Sequence, residues 1–135
     1  MISTKGRYAI RFMMDLAEQS QDRTIPLEET AARQDISKKY LEMIVKILVK
    51  GKLVKGISGK GGGYRLTRKP EEYTVGEILE LTEGTLAVVA CLNEEAEQCP
   101  RESICKTLPM WRKFDSLVRD YFYHITIADL VNGKV

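Results

Sequence analysis

The 135-residue sequence predicts a mainly α-helical fold with a small β-hairpin: a winged helix-turn-helix followed by a long C-terminal dimerisation helix. Three observations carry that expectation. Two short amphipathic segments stand a few residues apart, and the second opens with Ser37-Lys38-Lys39-Tyr40, hydroxyl and basic side chains. Two strand-like runs, LVKGI and GYRLT, flank the glycine-rich SGKGG, as the wing of such a fold requires. An aromatic stripe at helical spacing then occupies the chain near its C-terminal end.

The first helix is read from Ala9, Phe12, Met13, Leu16 and Ala17, a stripe with Arg7 and Arg11 on other faces, and SQDRT ends it. Pro26 suits the start of a short second helix, LEETAARQ, where Glu28 and Glu29 meet the positive end of its dipole. Ser37 is a good N-cap for SKKYLEMIVKILVKGK, whose apolar face is Tyr40, Leu41, Ile44, Ile47 and Leu48, and Gly51 is expected to end it. After the hairpin, Thr74-Val75-Gly76-Glu77 reads as a capping box that opens VGEILELTEG, a helix closing near Gly84. The last helix is expected from Lys106 to Tyr123, with Trp111, Phe114, Val118, Tyr121, Phe122 and Ile125 on its apolar side. Intrachain core is one use for that side. Pairing with the same helix of a second subunit is the favoured use, because helix-turn-helix proteins commonly read DNA as symmetric dimers. The organisation expected is thus residues 1–84 as a DNA-binding winged helix-turn-helix, 85–105 as a cysteine loop, and 106–135 as a dimerisation helix and C-terminal segment.

Composition narrows the function classes. With 44% hydrophobic and 30% charged residues the chain can fill one core. No basic leader with an apolar core opens it, and its longest apolar run, LAVVACL, is far below membrane-spanning length, so a cytoplasmic protein is expected. The net charge of +2 conceals an asymmetry: residues 1–69 hold 15 Lys/Arg against 7 Asp/Glu, and residues 70–135 hold 6 against 12. From Lys38 to Lys69 there are ten basic residues and only Glu42 as an acid, which is a polyanion footprint.

SGKGGGY is neither a Walker-type phosphate loop nor a dinucleotide fingerprint, since Gly61 follows Lys60 where Ser or Thr is needed and Tyr64 stands in the place of the third glycine. It is either a plain flexible hairpin or a wing tip whose backbone approaches DNA, with Lys60 reaching the minor groove or a phosphate. Ser37, Lys38, Lys39 and Tyr40 are either a solvated cap or the first turn of a recognition helix that meets phosphates and base edges. Glu42 is either a selector that accepts from cytosine N4 or the partner of Lys38, Lys39 or Lys46 in a salt bridge.

The cysteines, Cys91, Cys99 and Cys105, are separated by seven and five residues within CLNEEAEQCPRESIC. Three is a poor number for a disulfide framework, and the gaps exceed the two to four residues usual between paired zinc ligands. Iron–sulfur clusters accept thiolates from loops of varied spacing, and Pro100 with its charged surroundings reads as an exposed loop. Buried, inert cysteine is the alternative, strongest for Cys91 after LAVVA.

ISTKGRYAI, ISKKYLE, SGKGGGYRL, TVGEIL, the three-cysteine loop, LPMWR and ITIADLV follow one another in the order found in the IscR-type (Rrf-two) winged-helix regulators, which the sequence resembles over almost its whole length. The resemblance implies a homodimeric transcription factor binding a palindromic double-stranded operator. It implies an iron–sulfur cluster, two-iron or four-iron, on Cys91, Cys99 and Cys105. It makes Ser37 to Glu42 the major-groove reader, Ser58, Gly59, Lys60 and Gly61 the wing contact, and Lys5 and Tyr8 backbone contacts. Departures from the family pattern leave the fourth ligand open. The first cysteine gap is longer than usual, and Leu108 stands where the family's namesake carries a histidine; Arg7 stands where the nitric-oxide-sensing branch has an aspartate. His124, about nineteen residues or roughly 28 Å of helix past Cys105, is distant, whereas Glu94, Glu95, Glu97 and Glu102 are near.

The function expected is therefore a repressor or activator whose DNA occupancy depends on a cluster. The rivals are a cluster-free thiol- or zinc-switched regulator of the same fold and an iron–sulfur electron carrier. One histidine and no Ser/His/Asp set speak against an enzyme, and an electron carrier would leave the basic segment idle.

Overall fold

A computed structural model describes residues 2–135. Its elements are α1 (Thr4–Glu18), α2 (Leu27–Gln34), α3 (Lys38–Lys50), β1 (Val54–Ile57), β2 (Gly63–Leu66), α4 (Val75–Glu83), α5 (Leu108–Tyr123) and α6 (Ile127–Val131). This is the winged helix-turn-helix with a long C-terminal helix that the patterning predicts. None of the described helices is long and apolar enough to cross a membrane.

Local chemistry sets most of the boundaries. The Ser37 side chain accepts from Tyr40 N at the start of α3. Thr74 and Glu77 form the reciprocal capping box of α4, and Gly84 closes that helix at φ +83°. Pro26 is the N-cap of α2 in extended backbone rather than its first helical residue. The start of α5 is two residues later than expected. Pro109 in its first turn has no N–H to offer and restricts the residue before it, and Thr107 makes no side-chain cap. α6 was not anticipated, although Thr126 and Asp129 form a second capping box at its start.

β1 and β2 pair antiparallel with Val54 opposite Leu66 and Ile57 opposite Gly63. The segment before α2 adds an isolated bridge, Ile25 to Tyr64, so the wing leans on the helix-turn-helix instead of standing free. The core gathers Phe12, Met13 and Leu16 of α1, Leu41, Ile44, Val45 and Leu48 of α3, and Ile78, all nearly inaccessible. Each such side chain contributes about 1.5–3 kcal/mol through burial. Ile127 of α6 is buried in the same cluster, so the C-terminal segment returns to complete the core built by the N-terminal helices.

A buried tyrosine ties these layers. The Tyr73 hydroxyl donates to Leu53 O at 2.7 Å and accepts from Thr67 N and Arg68 N at 2.9 Å, which fixes the base of the wing. Its own carbonyl accepts from Ile127 N. Asp15 is the buried exception on α1. It accepts from Thr30 Oγ1 at 2.9 Å, from Arg33 Nε and Nη2 at 3.0 and 2.9 Å, and from Gln34 Nε2 at 3.2 Å, clamping α2 to α1. Burial pushes its carboxyl up, but the hydrogen bonds from Arg33, Gln34 and Thr30 outweigh this and leave it below the usual carboxylate range.

The apolar side of α5 divides in two. Phe122, with Ile125 just beyond the helix, packs against a small cluster of Val75, Leu79 and Leu86. Met110, Phe114, Leu117 and Tyr121 are 49–59% exposed, a run of large apolar groups that the chain covers only in part. The intrachain alternative therefore accounts for only part of the stripe.

Candidate DNA groove and cysteine pocket

The start of α3 and the wing form the two sides of one groove of about 500 Å³, lined by Pro26, Leu27, Glu28, Lys38, Glu42, Ile57, Ser58, Gly59 and Tyr64. Residues about twenty positions apart in sequence thus face the same space. Ser37, Lys38, Lys39 and Glu42 are exposed, and so are Ser58, Gly59, Lys60 and Gly61 at the tip. Gly59 and Gly61 hold φ of +91° and +77° with open space around each, so the tip turns sharply without a side chain covering its backbone. Thr24 Oγ1 donates to Gly61 O at 2.8 Å, and Arg65 Nη2 to Gln21 O at 2.8 Å, which braces the tip from the loop before α2.

Lys38 pairs with Glu28 of α2, and each is held in its charged form by the other: the ammonium titrates higher and the carboxylate lower than usual. This partner is not among those considered from sequence. Glu42 makes no ion pair with Lys38, Lys39 or Lys46 among the described residues, so the salt-bridge reading of Glu42 is set aside and its carboxylate faces the groove free.

Tyr40 turns from solvent and meets Tyr8 of α1 edge-on, with centroids 5.6 Å apart, while Arg11 stacks over Tyr8 at 5.1 Å. The Arg11 guanidinium also donates to the Gln34 side chain at 3.1 Å. Tyr8 and Tyr40 thereby join α1 to the first turn of α3. Lys5 lies one turn before Tyr8, half-buried. Arg11, read from sequence only as lying off the apolar face, is part of this joint; no local pattern signals a partner 23 residues away.

The three cysteines lie in the segment between α4 and α5, which holds short helical turns at Ala90–Leu92 and Glu102–Ile104. All three are free thiols. Cys91 is exposed, which removes the buried, inert reading where it was strongest. Cys91, Cys99 and Cys105 line one pocket of about 190 Å³, together with Glu97, Glu102 and Arg112. Among the described residues no three Cys, His, Asp or Glu side chains are drawn together at metal-ligating distances. The pocket thus collects three thiols and two carboxylates without pulling them into a coordination shell. The Cys105 thiol lies 3.4 Å from Thr107 Oγ1, and that hydrogen bond, aided by backbone amides and the Arg101 charge, lowers its pKa. Glu94, Glu95 and His124 do not line the pocket, and His124 Nδ1 is engaged with Asp120 O at 2.6 Å.

A polar ladder connects this segment with the core. Val88 N donates to Asp115 Oδ1 at 3.0 Å, Arg119 bridges Asp115 and Glu80 at 2.9 and 2.7 Å, and Tyr123 donates to Glu80. Burial, then Glu80, pushes the Tyr123 hydroxyl up to about 12. A Cβ at Gly76 would lie 2.4 Å from the Tyr123 ring, so the glycine of TVGEIL is what lets α5 approach α4.

Residues 2–133 match the family described as Rrf2, iron-dependent transcriptional regulator. The HTH-type transcriptional regulator IscR of Pectobacterium atrosepticum is 35% identical over 133 residues, 98% of this chain and 80% of the relative. CymR, the global cysteine regulator of B. subtilis, superposes with a TM-score of 0.79 at 33% identity, covering 98% of this chain and 96% of that one. IscR of T. potens superposes at 0.77 and 30% identity, covering 100% and 88%. Groove, braced wing and full-length likeness converge: the chain belongs to the Rrf2 family and is a DNA-binding transcriptional regulator of winged-helix fold.

Proposed function

We propose that the protein is a homodimer that reads a palindromic operator and releases or engages it according to the state of Cys91, Cys99 and Cys105, with an iron–sulfur cluster as their ligand. The observation that carries this is the convergence of three free thiols, eight and six positions apart, on one small pocket. The donor set fits a thiolate-bound cluster, with Glu97 and Glu102 on the same wall as candidates for the remaining position. When bound, such a group supplies redox-sensitive crosslinks among parts of the loop. The chain's own residues do the rest. Val88 and Asp115 tie the loop to α5, Arg119 and Glu80 tie α5 to α4, and Tyr73 ties the α4 entry to the base of the wing. In this reading residues 1–84 bind DNA, 85–105 hold the cluster and 106–135 form the dimer. Ser37 to Glu42 enter the major groove, the tip from Ser58 to Gly61 meets the adjacent backbone, and Lys5 and Tyr8 contact phosphates. The exposed Met110, Phe114, Leu117 and Tyr121 pair with the same face of a second copy.

A thiol switch is the second reading, favoured by the lowered Cys105 pKa and by a pocket that gathers thiols without a coordination shell. CymR of Staphylococcus aureus has been solved in an oxidized form, with a TM-score of 0.73 at 30% identity. One preparation decides between them. Anaerobic reconstitution with iron and sulfide is expected to give visible absorption that each Cys→Ala substitution removes, and operator affinity that differs between loaded and metal-free protein. Colourless protein whose affinity changes with oxidant alone assigns the pocket to the thiol switch.

A further inference from the structure

The DNA-facing groove carries a charge pattern opposite to that of the segment around it. Lys38 to Lys69 is strongly basic, yet the groove wall holds two carboxylates, Glu28 and Glu42, beside one ammonium, Lys38. Glu28 sits in the first turn of α2, where the helix dipole favours its charge whether or not Lys38 is near. Lys38 is its only ion-pair partner among the described residues, and both side chains are at least half exposed, open to a docking duplex. Glu42 stands one turn beyond Lys38 on α3 and adds attraction to the same ammonium without replacing Glu28 as its partner.

We propose that Glu28 is a specificity-determining residue: by holding the Lys38 ammonium it keeps that charge from phosphates in general, and it yields the lysine only to a duplex that offers a better acceptor. The inference rests on the reading that this groove receives DNA. A duplex held by its phosphates alone gives Lys38 an anion no better than the one it has, and faces it with a second carboxylate, Glu42. A G·C pair in the major groove offers more, because guanine O6 and N7 accept from the ammonium while cytosine N4 donates to a carboxylate. Ammonium and carboxylate are then both satisfied on one base pair. The pair therefore subtracts from sequence-independent adhesion more than from binding at the correct site.

The test is a double-mutant cycle on the full chain with Glu28→Gln, Lys38→Ala and both together. The probes are a duplex selected from a random library by the unaltered protein and a scrambled duplex of the same composition, at matched salt. Glu28→Gln is expected to raise affinity for the scrambled duplex about fivefold and for the selected duplex less than about twofold. It should also steepen the fall of log K with log salt on the scrambled duplex by about one unit. The gain should vanish when Lys38→Ala is present. A gain that survives Lys38→Ala shows Glu28 to be a bare repulsive charge and overturns the proposal. So does an equal gain on both duplexes, or none. If the unaltered protein selects no duplex, the reading of the groove itself fails, and this inference with it.

Discussion

The groove and the cysteine pocket are built to opposite standards. Around the groove nearly every positioning group is already engaged: Ser37 caps α3, Thr24 and Arg65 brace the wing tip, and Tyr73 satisfies three backbone groups at its base. Around the pocket the thiols are exposed or half-exposed, and among the described residues only the Cys105 thiol has a hydrogen-bond partner. The groove is preorganised for a large, rigid ligand. The pocket gathers three free thiols without fixing them by hydrogen bonds to the extent that the groove fixes its residues.

The two regions are joined through α5, and its outer face is where the largest effect is expected. Leu117→Asp places a carboxylate on the most exposed part of the apolar run, costing less in the folded monomer than a change at the half-buried Phe114. It should weaken self-association by about 100-fold or more if that run is the dimer contact. Sedimentation across a concentration series measures this. Unaltered protein that sediments as a monomer at micromolar concentration would falsify the pairing.

Next in size is the buried clamp on the groove side. Asp15→Ala leaves Arg33, Thr30 and Gln34 without their common acceptor. Because the Arg33 side chain is 36% exposed and can find water, the loss is about 2–3 kcal/mol rather than that of a fully buried pair. Since the carboxyl titrates lower in the folded state than in the unfolded chain, its stabilisation is complete above its ordinary value. It disappears as the pH falls through the lowered one. Melting curves of the unaltered protein and the variant should therefore converge in acid.

The wing tip gives a smaller effect. Lys60→Ala leaves the turn at Gly59 and Gly61 intact, so it should weaken binding to any duplex a few-fold and reduce the salt slope by about one unit. The smallest is the sharpest contrast. In metal-free protein, Cys91→Ala, Cys99→Ala and Cys105→Ala should each change stability by less than about 0.5 kcal/mol, because no buried contact is lost. A loss of several kcal/mol at any of the three would mean that the pocket is as built as the groove.

What could be read from the chain follows the range of the interactions. The cap at Ser37, the capping box at Thr74 and Glu77, and the stop at Gly84 act over three or four residues, and the patterns that announce them are complete in themselves. Thr126 and Asp129 at α6 act over the same short range, but a five-residue helix shows too little periodicity to announce itself. Glu28 with Lys38, Asp15 with Arg33 and Tyr73 with Leu53 pair across 10 to 20 residues, and nothing local marks either member. Helical spacing placed Phe114 and Phe122 on one stripe. Only α4 and the Leu86 loop, packing along one flank, decide that Phe122 is more covered than Phe114. The three cysteines marked the loop as chemical, but their shared pocket depends on where α5 begins, and that turns on Pro109.

The return of α6 to the core has a consequence for biogenesis. Val75 N bonds Ile125 O, Ile127 N bonds Tyr73 O, and the Ile127 side chain closes the cluster that α1 opens. A ribosome emits α1 well before α6, so the cluster shared by α1, α3 and Ile127 stays incomplete while residues 125–131 are still within the exit tunnel. A ribosome-bound chain stalled just after α5 emerges should remain as protease-sensitive as an unfolded one, and become resistant once α6 has cleared.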